Sequence, residues 1–258
     1  MTLAHAMIPV MNVALVLGVA FVLPRALQPL GRRTPFLVAA LGVAGALLLP
    51  PGPLAASLLA PWVLLTLAVA LRERAHFWRL AAAGFSLTAA LALVASRLEV
   101  TLFAIPEPIV KLTALHFTYA GAGTLTLARR LHLLRPSRWT SVTQALVLVA
   151  PPVVAAGFVF RSAAGQVGGA ALMTLGVWFV AALQVRDARE GPRRVAWLVS
   201  SLSPLVVMVL AMAWAANQYW AQVPALTVPD MVPTHGALNA FGFVACGLFA
   251  ADGRARAG

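Results

Sequence analysis

The basic residues of this chain fall in alternate gaps between long apolar runs, and that spacing constrains the fold more than any other feature. Apolar runs recur from Met7 to Ala251, and the breaks between them are by turns basic and neutral. The basic breaks hold Arg25, Arg32 and Arg33; Arg72, Arg74 and Arg79; Arg129, Arg130, Arg135 and Arg138; Arg186, Arg189, Arg193 and Arg194; and Arg254 and Arg256. Together these are sixteen of the 19 Lys and Arg, the others being Arg97, Lys111 and Arg161. Short cationic loops stay on the cytoplasmic side of a membrane. The alternation therefore predicts an all-α, polytopic transmembrane helical bundle with its basic breaks inside.

A span needs about 20 mostly apolar residues. That length divides the chain into nine helices, His5–Val22, Thr34–Leu49, Leu54–Leu71, Leu80–Ser96, Pro108–Ala128, Trp139–Phe160, Gly165–Val185, Val195–Tyr219 and Val232–Ala251. An odd number with a basic tail puts the N-terminus outside and the C-terminus in the cytoplasm. Pro24, Pro35, Pro53, Pro108 and Pro192 fall at or near these ends, where a missing N–H does least harm. Trp62, Trp139, Trp197 and Trp220 also lie close to predicted ends, the place of interfacial anchors. Without a repeat or a long linker, residues 1–258 read as a single transmembrane domain in a cell membrane. The first run lacks a basic leader and a small-residue cleavage site, which predicts a retained helix.

Composition agrees, with 61% hydrophobic and 10% charged residues. The net charge of +12 would point to nucleic acid in a soluble chain. Here the positive residues sit in membrane-flanking loops, so membrane lipids are the expected partner and nucleic acid is excluded. The lone Cys246 leaves no intrachain disulfide and no cysteine-based metal site.

The remaining polar residues sort by predicted side. Glu73, His76, His132, Asp187, Glu190 and Asp252 lie among the cytoplasmic arginines, where pairing with Arg explains them. The others collect towards the opposite surface: His5, Glu99, Glu107, Lys111, His116, Asn217, Asp230, His235 and Asn239. Lys111 is the only lysine and follows Glu107 by four residues, the favoured order for a helical ion pair. Capping and snorkelling explain that pair as well as function does. His116 lies eight residues past Pro108, roughly 12 Å deeper at 1.5 Å per residue. Lys111 and His116 stand roughly 140° apart on an ideal helix, and Tyr119 shares the face of His116. His235, Asn239, Gly242 and Cys246 form one stripe on the last helix. Gly236, Gly242 and Gly247 would admit a close neighbour and bring the two polar stripes together. An interhelical hydrogen bond would account for each histidine alone. Two histidines, an amide and a carboxylate at one level favour a site.

The runs IPEPIVKLTALHFTYAG, 105–121, and THGALNAFGF, 234–243, resemble the YndJ-like family of bacterial multi-pass membrane proteins. The resemblance implies that His116, Tyr119, His235, Gly236 and Asn239 belong to that family's characteristic pattern. It implies no particular chemistry, although members are sometimes labelled transporters.

The reading that follows is an acid–base enzyme of isomerase, cyclase or hydrolase type, or a binding protein, for a lipophilic small molecule. His116 and His235 would be its acid or base, Glu107 and Asp230 their partners, and Lys111, Tyr119, Asn239 and Asn217 the substrate-binding groups. A transporter of a small molecule or ion is the alternative, but repeats and midplane polar groups are lacking. A purely helical scaffold is the third class. Haem held by two histidines, or zinc held by His116, His235 and Asp230, is conceivable. No close ligand pair or haem attachment motif supports either, so neither cofactor nor metal is expected. Oligomeric state is left open.

Overall fold

A computed structural model describes residues 3–27, 33–186, 193–220 and 226–252. Arg32, Asp187, Arg189, Glu190, Pro192, Arg254 and Arg256 lie outside the described residues, as does the side chain of His5. Among the described residues nine helices follow one another: α1 (3–27), α2 (Thr34–Leu48), α3 (Pro53–Arg72), α4 (Phe77–Arg97), α5 (109–134), α6 (Arg138–Val159), α7 (Ala163–Arg186), α8 (Arg194–Asn217) and α9 (Val228–Asp252). No strand occurs among them, only an isolated bridge from Leu102 to Ile105. Seven of these helices are long and apolar enough to cross a membrane, the mark of a multi-pass membrane protein. The other two are α2, with 15 residues, and α5.

Local chemistry sets the helix ends. Ser137 starts α6 with a capping box, its hydroxyl accepting from Thr140 N at 3.2 Å while Thr140 Oγ1 accepts from Ser137 N at 3.0 Å. Thr227 and Asp230 build the equivalent box at α9. Pro151, Pro152 and Pro204 lie inside α6 and α8, which continue through them.

The spans carry a feature that apolar periodicity does not foretell. π-helical turns occupy Gly18–Val22 in α1, Phe117–Gly123 in α5, and Val232–Gly236 and Leu238–Ala245 in α9. Such turns are rare and concentrate at functional sites. Those of α5 and α9 overlap the two polar runs that mark the chain.

The chain forms two compact units. The first, Met11–Gly123, holds most of α1, all of α2 to α4 and the start of α5. Its core includes Leu15, Val19, Leu59, Trp62, Ala89 and Leu93, each 0% exposed. Trp62 therefore corrects the interfacial reading: its ring is buried, and Nε1 donates to Ser86 Oγ at 3.1 Å because a buried indole needs a partner. Trp62→Phe should cost about 1 kcal/mol, read as a lower denaturant midpoint in mixed micelles.

The second unit, Met1–Val10 with Thr124–Gly258, contains α6 to α9 and the end of α5. Its core is tied by polar side chains. Gln184 Nε2 donates to Ser200 Oγ at 3.0 Å, Ser200 Oγ to Phe243 O at 2.7 Å, and Trp197 Nε1 to Gln184 O at 2.7 Å. Trp197 is thus another buried indole rather than an interfacial one, whereas Trp139 and Trp220 are exposed. Phe243 lies in a π-helical stretch, where backbone bonding departs from the regular α ladder and a side-chain donor can complete it. Among the basic ends, Arg79 pairs with Glu73 at 2.8 Å and Arg130 with Asp252 at 3.0 Å. Both acids pair with Arg as expected, although Glu73 is buried, at 5% exposed, rather than solvated.

Candidate functional site

In the first unit, α5 begins after Pro108, and Glu107 is exposed just before it. Lys111, in the first turn, is half-buried. Its ammonium does not meet Glu107 in an ion pair; Lys111 Nζ donates to Asn12 Oδ1 at 2.6 Å, from α5 to α1. Four-residue spacing was the basis for expecting the carboxylate, but Glu107 precedes the helix and so lacks the geometry of a helical i,i+4 neighbour. Asn12, an amide inside an apolar run, is a functional candidate that the charged residues overshadowed. Its signal was plain: a side chain that needs partners within a span.

About two turns further on, the phenol of Tyr119 donates to Ala14 O at 2.8 Å. Ala14 stands just before the wide turns of α1. Thr118 Oγ1 donates back to Ala114 O at 2.8 Å. His116 closes the first α-helical part of α5 and is half-buried. Tyr119 thus joins α5 to α1, as Lys111 does.

Arg97, the last residue of α4, belongs to the same unit. Its side chain is 9% exposed, and Nη2 donates to Leu49 O at 2.6 Å, capping the end of α2. Gly52 N donates to Arg97 O at 2.7 Å. Arg97 Nε is enclosed and has no hydrogen-bond partner among the described residues. Helix connectivity brings these groups to one end of the unit, since α1 starts, α2 and α4 finish, and α5 starts there.

The second unit holds Asp230, His235, Asn239 and Asn217. His235 Nδ1 lies 2.8 Å from Val207 O, linking α9 to α8. A carbonyl only accepts, so Nδ1 carries the proton and Nε2 presents a lone pair in the neutral ring. No described residue hydrogen-bonds to Nε2. Asn239, one turn on, is half-buried and likewise makes no hydrogen bond with a described residue. Asp230 serves the start of α9, where Thr227 N donates to its Oδ2 at 3.0 Å and Thr234 Oγ1 donates to its backbone oxygen. Asn217 ends α8 and is half-buried.

The glycines of α9 do not share one neighbour. A Cβ on Gly242 would meet Ser203 Oγ, and one on Gly247 would meet Ser200 Oγ, both at 2.5 Å. Gly236 faces nothing nearer than its own helix, at Met231 O, 3.7 Å away. The close approach at Gly242 and Gly247 is therefore to α8, the helix that also holds the imidazole of His235. Among the described residues, no three His, Cys, Asp or Glu side chains are grouped to hold a metal ion.

A family model described as YndJ-like protein matches residues 13–243. No curated protein and no solved structure matches the chain.

Proposed function

We propose that this protein, which belongs to the YndJ-like family, is a membrane protein that binds a lipophilic small molecule and moves a proton on it. The observation that supports acid–base chemistry is the state of His235. Its ring is oriented by a backbone carbonyl through Nδ1, leaving Nε2 as an acceptor on α9. A general base needs that combination of fixed orientation and an available lone pair. Asn239 stands one turn away with its amide uncommitted to the described residues, suited to orienting a substrate oxygen. Asp230 supports the start of α9 rather than polarising the ring. In the first unit, His116 is the second acid–base candidate, Glu107 its candidate carboxylate partner, and Lys111 and Tyr119 candidate substrate contacts. The orientation follows the positive-inside rule, with the Glu99 loop outside and Arg72 and Arg130 in the cytoplasm of a bacterial cell, at the inner membrane.

Proton transfer to carbon can be followed without knowing the substrate, because a C–D bond persists after return to H₂O. Purified protein in neutral detergent, given a bacterial lipid extract in D₂O, should convert or deuterate a discrete species seen by mass spectrometry. His235→Ala should slow that reaction by roughly 10²-fold or more, the usual contribution of a positioned base. If no species changes mass or structure, the acid–base reading falls. Gradient-dependent flux in proteoliposomes, abolished by His116→Ala, would instead establish transport. With Cys246 first replaced, an engineered cysteine near Glu99 should label from outside, and cysteines near Arg72 or Arg130 should not. The reverse pattern would invert the orientation.

A further inference from the structure

We propose that a cavity between the end of α5, the start of α6 and the end of α7 holds the phosphate head of an anionic phospholipid. None of its residues belongs to the proton-transfer chemistry, so the two stand or fall separately. The cavity lies within the second unit and measures about 150 Å³. Leu131 and Thr140, both buried, line it together with the half-buried Leu183, and the exposed Arg135 and Arg186 stand at its opening. No acidic side chain lines it among the described residues. The two arginines come from different basic breaks, one between α5 and α6 and one after α7, so the fold has carried separate cationic stretches to a single concavity. Arg186 forms no side-chain hydrogen bond or ion pair with a described residue.

Two guanidiniums over one concavity repel each other, and an anion that accepts from both removes that repulsion through charge-assisted bonds. The planar fork of each matches phosphate oxygens. The positive end of the α6 dipole adds to their field. The side chains of Ser137 and Thr140 are already paired in the capping box, so the guanidiniums supply the side-chain donors. The volume is well above what one water needs and suffices for a phosphate group. Location and lining select a lipid as its source. α6 and α7 are both long and apolar enough to cross a membrane, which sets the start of one and the end of the other at the level of the headgroups. Leu134, 49% exposed, lines the cavity beside Arg135 and offers apolar surface to the chains that follow the head. Basic pockets between spanning helices on the cytoplasmic side hold anionic lipid heads.

The test titrates the delipidated whole protein in neutral detergent with dioleoyl phosphatidylglycerol, dioleoyl phosphatidylcholine or inorganic phosphate, since a ligand of the folded state raises Tm by mass action. Phosphatidylglycerol should raise Tm at concentrations where phosphatidylcholine does not. Arg186→Gln should weaken the apparent affinity for phosphatidylglycerol by about tenfold or more, the loss expected for a charge-assisted bond. Arg135→Gln should do the same, and Arg186→Gln carries the test if that variant fails to fold. Replacing both Arg72 and Arg74 with Gln removes two exposed cations from another break and should leave the affinity unchanged. An equal loss in that variant would overturn the cavity in favour of diffuse surface charge. Equal stabilisation by phosphatidylcholine would overturn the anionic head, and equal stabilisation by inorganic phosphate would overturn the lipid as its source. If no probe raises Tm, the site does not exist.

Discussion

Gly157→Val should hold α6 and α7 apart at their close approach and markedly lower the denaturant midpoint of the protein in detergent. A Cβ at Gly157 would run into the backbone of Gly165 and Gln166, with Gly165 C at 2.5 Å. Neither obstacle is the end of a flexible side chain, so no rotamer change relieves it. Gln166 Nε2 also donates to Gly157 O at 3.3 Å across the same contact, a bond that separation would break. Overpacking a close interface costs about 1–3 kcal/mol and occasionally more. With backbone against backbone, the cost belongs at the upper end. Gly168, in α7, has open space within 4 Å of where a Cβ would stand. Gly168→Ala should therefore stabilise by roughly 0.5–1 kcal/mol through helix propensity. Opposite signs for two glycines eleven residues apart would be read from denaturant midpoints. Equal effects would refute the packing argument.

The second large effect is expected at Gly247. An added methyl would lie 2.5 Å from Ser200 Oγ and 3.1 Å from Gln184 Nε2. Ser200 is the hinge of the buried polar chain, since it receives Gln184 Nε2 and donates to Phe243 O. Moving it strands polar groups that are completely buried: Ser200 and Gln184 are each 0% exposed. A buried group left without its partner costs about 1–3 kcal/mol. Gly247→Ala should then lower stability by roughly 2–4 kcal/mol when the steric and polar parts combine. Ser200→Ala removes the bonds without crowding and should show only the polar share. A double variant that restores part of the stability, because the smaller side chain makes room for the methyl group, would confirm that both act at one place. Strict additivity would separate them.

These expectations rest on different kinds of information. The number of helices, their approximate ends and the basic alternation follow from apolar length, proline position and local charge. All are properties of a contiguous stretch, and the nine predicted spans correspond one to one with α1 to α9. Pairing of Arg79 with Glu73 was legible for the same reason, because the two lie six residues apart. The candidate site was legible in part. Lys111 and Tyr119 could be picked out as polar groups near the start of α5, but their bonds to α1 could not.

Partner choice was not legible. Lys111 had a carboxylate four residues away in sequence, yet it bonds to an amide 99 residues away. Trp62 and Trp197 lay near predicted ends, yet both rings turn inward to acceptors on other helices. The wide turns at Phe117–Gly123 and Leu238–Ala245 likewise escape an apolar count, because lengthening a turn by one residue leaves composition unchanged.

What the amino-acid sequence determined by itself was a membrane-type helical chain with polar groups concentrated near particular helix ends. The burden of satisfying each backbone group within its own span, imposed by an apolar surround, makes that much a local matter. Tertiary structure alone decided which helix each glycine admits, which indoles are buried, and that Arg97 and Lys111 meet no carboxylate among the described residues. Those outcomes depend on interhelical approach, where side chains far apart in sequence compete for the same small volume and the same few hydrogen-bond partners.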